Sequence, residues 1–431
     1  MKDIAINKLK IPTIAIFDIG KTNKKLFLFT ENYEIVYEKS TQFSEITDED
    51  GDACEDLKLL SKWVNETFEE VLQSPDFEIK ALNFSTYGAS FVHLDAEGKV
   101  IAPLYNYLKP YSEELKKQFY DNYEGEQVFS RKTASPVLGN LNSGMVLYRL
   151  KYENPALFAQ IRYSLHLPQY ISFLFTGKYF SDITSIGCHT NLWDFEQNNY
   201  HEWLEKEGII EKLAPINADT HLSTNELIIG TGLHDSSAAL IPYLATFKGQ
   251  KFVLISTGTW CITLNPFNHT PLTDEELRQD CLAYMQYTGE PVKASRLFAG
   301  YEHEQIIKQL SEQFHTPLDY YKEVKFDAKL VDFLDDHTYE SAYHQLILNL
   351  VNKQIISTKW VLNDDSVKKL FVDGGFGNNE IYMNLLAKAF PKMEVYAASV
   401  AQATALGAAL AIHKEWNKKE IPHNLIDLRR F

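Results

Sequence analysis

The sequence predicts an α/β protein of two domains, on three observations. Strands and helices alternate through most of its length, the pattern of sheets covered by helices. At 431 residues the chain exceeds what one hydrophobic core serves, so two domains of roughly 200 residues are expected. Two strand, turn, strand units of one design also lie more than half the chain apart, as they would in two halves built on one plan.

The first of these units is TIAIFDIG, the turn KTNK, then KLFLFT, in which β-favouring residues flank a glycine-containing turn. Strand alternation sets Lys24 and Lys25 on opposite faces, with Lys25 toward solvent. FEIKALNFSTYGASFVHLD reads as a strand pair bent at Gly88 and Ala89. LHLPQYISFLFTGKY is a helix opened after Pro168 and closed at Gly177. GTGLHDSSAALI, residues 230–241, is a glycine-punctuated turn that carries His234 and Asp235 into an apolar run. Asp and Ser are common helix caps, and Asp235 or Ser236 satisfies that reading as it stands. KFVLISTGTWCITLN repeats the first design, with Asp18 to Gly20 aligned on Ser256 to Gly258. The proline and short polar turn of ALIPYLATFKGQKFVL put the division near residue 246, giving domains 1–245 and 246–431 around a shared cleft. VKKLFVDGGFGNNEIYMNLLAKAF is strand, glycine turn and amphipathic helix. Strand MEVYA and helix SVAQATALGAALAIHKEW follow, and Gly407 inside that helix points to close packing.

A net charge of -16 disfavours broad attraction to nucleic acid or to anionic membrane surfaces. Four scattered cysteines without a CxxC pair fit free thiols in a reducing compartment. The first residues lack a signal-peptide pattern, and no apolar run approaches the ~18 residues of a membrane span. A cytoplasmic protein is expected.

Four turns carry candidate chemistry: Asp18 to Lys24, Leu233 to Ser237, Ser256 to Trp260 and Asp373 to Asn379. Glycine at a strand end lets backbone N–H groups converge on phosphate, although such turns also join strands in every α/β protein. Asp18 ends an apolar strand, where a carboxylate is costly to bury unless Mg²⁺ beside a polyphosphate compensates it or it caps its own turn. Lys21 and Lys24 suit phosphate or the solvated tip of a hairpin. Phosphoryl transfer needs aligned reactants, charge neutralisation and a base for the hydroxyl proton, and Asp235 at a helix start suits the last role. His234 suits a sugar hydroxyl better than a metal, because no second ligand follows at ligand spacing. His166 and His189 read as polar core or surface residues.

At these residues the sequence resembles the FGGY carbohydrate kinases. DIGKTNKK is similar to the family's first phosphate hairpin, STGTW to its second, DGGFGNN to its adenosine-side turn, and GLHDSSAAL to the segment bearing its catalytic aspartate. The resemblance implies two actin-like, ribonuclease H-like ATPase domains flanking a central cleft, the first binding sugar and the second nucleotide. It implies ATP and Mg²⁺, with Asp235 as base, Asp18 near the metal, and His234, Tyr87, Gly88 and Ala89 against the sugar. Gly20, Lys21, Thr22, Asn23, Gly258, Thr259, Gly374, Gly375 and Asn379 are implied on the nucleotide side. STYGASFVHLDAEGKV, GLHDSS and ISTGTW are most similar to the rhamnulokinase branch, which implies a ketose such as L-rhamnulose or a related 6-deoxyketose. Sugar and ATP are the expected partners, with neither nucleic acid nor membrane, and a homodimer stays open.

Three departures stand out. Lys21 replaces the family's usual Thr, LYNYLKPYS lacks the usual Asp and Arg after the sugar strand, and no long Trp-containing helical segment follows ASRLFAGYEHEQIIKQL. An altered sugar pocket and a reduced adenine pocket are therefore expected. Two other readings fit the same fold: an actin-like ATPase switch, and a sugar-binding regulator with reduced catalysis.

Overall fold

A computed structural model describes residues 9–223, 227–332 and 337–431. It divides into two compact units, the first Met1–Thr246 with Met285–Gly289 and Gln402–His423, the second Phe247–Tyr284 with Glu290–Ala401 and Asn424–Phe431.

The first unit is built on strands β1 (Ile11–Ile19), β2 (Lys24–Thr30) and β3 (Ile35–Thr41), helix α1 (Leu57–Leu72), and strands β4 (Phe77–Thr86) and β5 (Phe91–Leu94). Strand β6 (Tyr163–His166), helix α2 (Leu167–Thr176), strands β7 (His221–Ser223), β8 (Ile228–Gly230) and β9 (Leu233–His234), and helix α3 (Asp235–Thr246) complete its main run. Seven strands form one sheet in the order β7-β8-β4-β1-β2-β3, with β9 also paired to β4. The expected hairpin is present: β1 pairs antiparallel with β2, closed by a bond from Gly20 N–H to Asn23 C=O of 2.8 Å. Phe17, Leu26, Leu28 and Phe84 pack against Leu60 and Val64 of α1 in the core. Helix α2 ends at Gly177 in the left-handed conformation, φ 64°, as its glycine predicts.

One expectation fails here. Residues 77–95 form two strands, but β4 lies parallel to β1 whereas β5 pairs with β6 in a separate two-stranded sheet. Ala89 takes φ 66°, a left-handed turn that throws the chain out of the first sheet, so the two strands never pair.

The second unit contains strands β10 (Phe252–Thr257), β11 (Cys261–Asn265), β12 (Cys281–Met285) and β13 (Pro291–Leu297), and helices α4 (Ala299–Phe314) and α5 (Tyr339–Val361). Strand β14 (Lys369–Gly374), helix α6 (Glu380–Ala389) and strand β15 (Glu394–Ser399) follow. After helix α7 (Ala403–Ala411) comes strand β16 (Asp427–Arg430). Its sheet runs β12-β13-β11-β10-β14-β15-β16. The duplication read from the hairpins is now explicit. In β3-β2-β1-β4-β8 and in β13-β11-β10-β14-β15, three antiparallel strands lead into two parallel ones. Ile255, Ile347, Leu350, Val372 and Leu386 form the core between this sheet and α5 and α6.

Helix α7 belongs to the first unit, not to the second as a division into 1–245 and 246–431 supposes. It is also shorter than expected. Gln402 takes φ 51° ahead of the first turn, so residues 399–402 stay outside it, and Ile412 breaks the helix before a short 413–416 turn. Gly407 explains why α7 lies where it does: a Cβ there would come within 1.8 Å of Ala238 O in α3. Pro242 has no N–H to give the carbonyl four residues back, so that carbonyl is released from the helix ladder on the side where Gly407 fits. All four cysteines are buried and unbridged. Among the described residues no helix is long and apolar enough to cross a membrane.

Candidate active site

Register on β4 brings the two carboxylates of the first unit together. Ser85 is partnered by Asp18 of β1 on one side and by Leu233 of β9 on the other. Asp235, two residues beyond Leu233, opens α3 at that same end of the sheet. Burial raises the Asp18 carboxyl to about 6, against a 2.8 Å hydrogen bond from Thr404 Oγ1, and the charge of Asp235 adds to the rise. Asp235 is also raised to about 6 by burial, although 34% of its side chain is open to solvent.

The cap reading of Asp235 is tested by its partners. Among the described residues its Oδ1 accepts hydrogen bonds from Ser236, at 2.6 Å from N and 3.2 Å from Oγ, and not from the N–H groups two or three residues on that a capping side chain binds. Among the described residues Oδ2 accepts no hydrogen bond. The carboxylate is thus held by one oxygen and presents the other.

His234 and the 87–89 turn do meet. The His234 ring lies over Gly88, where a Cβ would stand 2.3 Å from its Cδ2, so no side chain fits at 88. Its Nε2 is 3.5 Å from Asp235 Oδ1 and 3.6 Å from Cys188 Sγ, and its backbone N–H donates to Thr184 Oγ1 at 3.0 Å. Burial lowers the imidazole to about 4, so it is neutral at pH 7. Tyr87 behaves differently: its hydroxyl is committed to Glu55, which leaves its ring as the face it can offer. Sequence reasoning missed Cys188, Thr184 and Thr404. It also set His189 aside, yet that ring stands perpendicular to His234 at 6.4 Å.

The lysines of the first turn are each paired with a glutamate. Lys21 meets Glu45 at 2.6 Å, buried Lys24 meets Glu55 at 2.7 Å, and Lys25 meets Glu38 at 3.2 Å across the strand pair. Alternation correctly separates Lys24 from Lys25, but Lys24 is an interior ion pair and not a phosphate ligand at a hairpin tip. Thr22 and Asn23 are exposed at that tip, where Asn23 Oδ1 accepts from Gln42 at 2.7 Å.

In the second unit three glycine turns converge. Gly300 packs on the β10–β11 turn so closely that a Cβ would lie 1.9 Å from Gly258 O. Gly374, φ 78°, sits on Thr257 O in the same way, with 2.0 Å left for a Cβ. The Thr257 hydroxyl ties the turns together, donating to Asp373 C=O and accepting from Phe376 N–H at 3.0 Å. Gly258, Gly375 and Asn379 line a cavity of about 620 Å³ with Gly300, His303 and Tyr321. That volume falls in the range that holds a small-molecule ligand. Gly374 faces a neighbouring cavity of about 350 Å³, and Thr259 lines neither. Asn379 has little left to offer a ligand, because Oδ1 caps α6 at Tyr382 N–H and Nδ2 donates to Tyr343 Oη at 2.6 Å. Tyr343 Oη in turn contacts His303 Nε2 at 3.1 Å.

Comparison with known proteins agrees with this architecture. Residues 13–239 match the N-terminal domain of the FGGY family of carbohydrate kinases, and residues 249–331 match the carbohydrate kinase FGGY C-terminal domain. A rhamnulokinase of Mannheimia succiniciproducens is 24% identical over 288 residues, 62% of this chain and 56% of that protein. A rhamnulokinase of Oceanobacillus iheyensis is 23% identical over 206 residues, 44% of this chain and 42% of that one. The chain thus spans about half the length of the curated relatives it matches. In fold it is similar to a carbohydrate kinase from Novosphingobium aromaticivorans, with a TM-score of 0.81 and 20% identity over 97% of this chain and 96% of the other. The xylulose kinase of Lactobacillus acidophilus gives a TM-score of 0.77 at 17% identity, over 95% and 91%. With a family match over more than half its residues, and with both sheets carrying the glycine hairpins from which that match starts, the chain belongs to the FGGY family of carbohydrate kinases.

Proposed function

We propose that the chain transfers the γ-phosphoryl group of ATP to a hydroxyl of a ketose, a 6-deoxyketose such as L-rhamnulose, with Asp235 as general base. The observation that carries this is the Asp235 carboxylate: placed at a helix start, anchored through one oxygen, and close enough to Asp18 for its charge to raise the Asp18 carboxyl. As the sugar oxygen bonds to phosphorus, its proton passes to the free Asp235 oxygen and ADP departs with the electrons of the broken P–O bond. Neutral His234 accepts or donates one hydrogen bond and so orients the sugar without adding charge. Similarity to rhamnulokinases supports the ketose class.

Asp18 and Asp235 form an acidic pair whose nearby lysines already have partners, and hard carboxylate oxygens with a hydroxyl beside them suit Mg²⁺. Asp18 is the residue that would hold it, and the ion would supply charge neutralisation at the polyphosphate. The second-unit turns around Gly258 and Gly375 are the proposed phosphate cradle, with the Gly258 N–H itself closing its hairpin on Trp260 C=O at 2.9 Å.

Coupled ADP release with a panel of ketoses and polyols tests the reading. Stimulation by a ketose is expected, and a basal rate unmoved by every sugar would remove it. A second expectation follows from the raised carboxyls. Both must be ionised, so kcat/KM climbs steeply as pH rises toward 6 and levels off above about 7. His234, already neutral in that window, adds no limb. Thr404→Val removes the bond that lowers Asp18 and shifts the acid limb upward, which a kcat/KM profile from pH 5 to 8 records.

A further inference from the structure

The stretch Tyr105 to Lys109 stands where the family resemblance leads one to expect Asp and Arg, and the structure shows how it is held. Lys109 Nζ is buried among Asp48, Asp50 and Asp52, at 2.6, 2.9 and 2.8 Å. Asn106 Nδ2 donates to Glu45 Oε1 at 3.2 Å, the Tyr105 hydroxyl donates to Glu49, and Arg149 lies over the Tyr105 ring at 4.7 Å. Leu108 points to solvent. Every neighbour is therefore tied down or turned out, and Tyr107 alone is left half-buried with no hydrogen bond to its hydroxyl among the described residues.

Its surroundings are those of the acceptor site. The Tyr107 ring meets the Tyr87 ring edge-on at 5.9 Å, and Tyr87 adjoins the Gly88 turn under His234. Burial holds its hydroxyl in the neutral form, the charges of Asp235 and Glu45 act in the same direction, and Lys21 opposes them. Lys21 is paired with Glu45 at 2.6 Å and so is not a free cation for an acidic sugar.

We propose that Tyr107 sets sugar specificity: its ring, backed by Tyr87, forms an apolar wall for the C–H or methyl edge of a neutral deoxy sugar. The proposal rests on the kinase reading above. An aromatic face welcomes a methyl group, whereas a hydroxymethyl group laid against it gives up water without gaining a partner. Discrimination of this kind is worth about 10–100-fold in kcat/KM, the range open to an apolar pocket facing an added hydroxyl.

The test compares ketose pairs that differ only in a terminal hydroxyl, L-rhamnulose with L-fructose and L-fuculose with L-tagatose, by ADP release. Wild type is expected to prefer the deoxy member of at least one pair by about 10–100-fold. Tyr107→Phe should keep that preference, since the ring is retained. Tyr107→Ala should reduce it to within about threefold, chiefly through KM for the deoxy sugar, with KM for ATP unchanged. Equal losses on both members, or an unchanged ratio in a variant that melts with wild type, would overturn the proposal while leaving the kinase reading intact. A wild type that prefers hydroxylated sugars does the same. Failure of every sugar to stimulate wild type removes the kinase reading, and this inference with it.

Discussion

Asp235→Asn is expected to lower sugar-dependent kcat by about 10²–10⁴, the usual range for a lost general base, while ATP affinity stays within about twofold. The same substitution should stabilise the protein. The Asp235 carboxyl is raised to about 6 in the fold from an ordinary 3.8, so folding disfavours its charged form. The stability associated with this group is complete below the unfolded value and is lost as pH rises through about 6. At pH 7.5 wild type bears the whole penalty and the amide bears none. The gain is on the order of 1 kcal/mol after allowing for solvent screening of the exposed third of the side chain, and it vanishes near pH 4. Urea unfolding at the two pH values reads it directly. Activity within tenfold of wild type would remove Asp235 as base, and a destabilised variant at pH 7.5 would restore it to the rank of helix cap.

Gly407→Ala carries the largest expected structural effect. The added methyl would sit 1.8 Å from Ala238 O, a backbone atom of α3 that cannot swing away, so the two helices must part. Overpacking against fixed backbone costs about 3 kcal/mol or more. Because α3 begins with Asp235, the displacement also reaches the proposed base, and kcat should fall together with the urea midpoint. Gly177→Ala is the control: it too is a single methyl, at φ 64° but with nothing within 4 Å, and should cost only about 1 kcal/mol. Equal losses for the two variants would mean that the contact between α3 and α7 is not tight.

Much of this was legible in the chain, for identifiable reasons. Both hairpins announced themselves because β-favouring runs flank glycine turns, and their likeness foretold the matched strand orders of the two sheets. Asp235 and His234 were legible because a glycine turn placed them at the start of an apolar helix. What escaped was set by distant partners. Alternation put Lys24 and Lys25 on opposite faces, but nothing local says that Glu55 waits for Lys24 inside. Tyr107 looked like a mere departure from a family pattern until Lys109, Asn106 and Tyr105 were seen anchored around it. Nor does the run FSTYGAS reveal that its two strands join different sheets, because the left-handed Ala89 is a residue type that seldom marks such a turn.

The return of residues 402–423 to the first unit has a consequence for biosynthesis. Asp18 takes its hydrogen bond from Thr404, and buried Asn83 donates to Ala408 C=O at 2.8 Å. A nascent polypeptide emerging from the ribosome therefore holds its amino-terminal lobe unfinished until almost four hundred residues later, and the intervening lobe is made while the first still awaits its closing helix. A fragment cut at residue 246 should expose the apolar flank of α3 and be captured by chaperones.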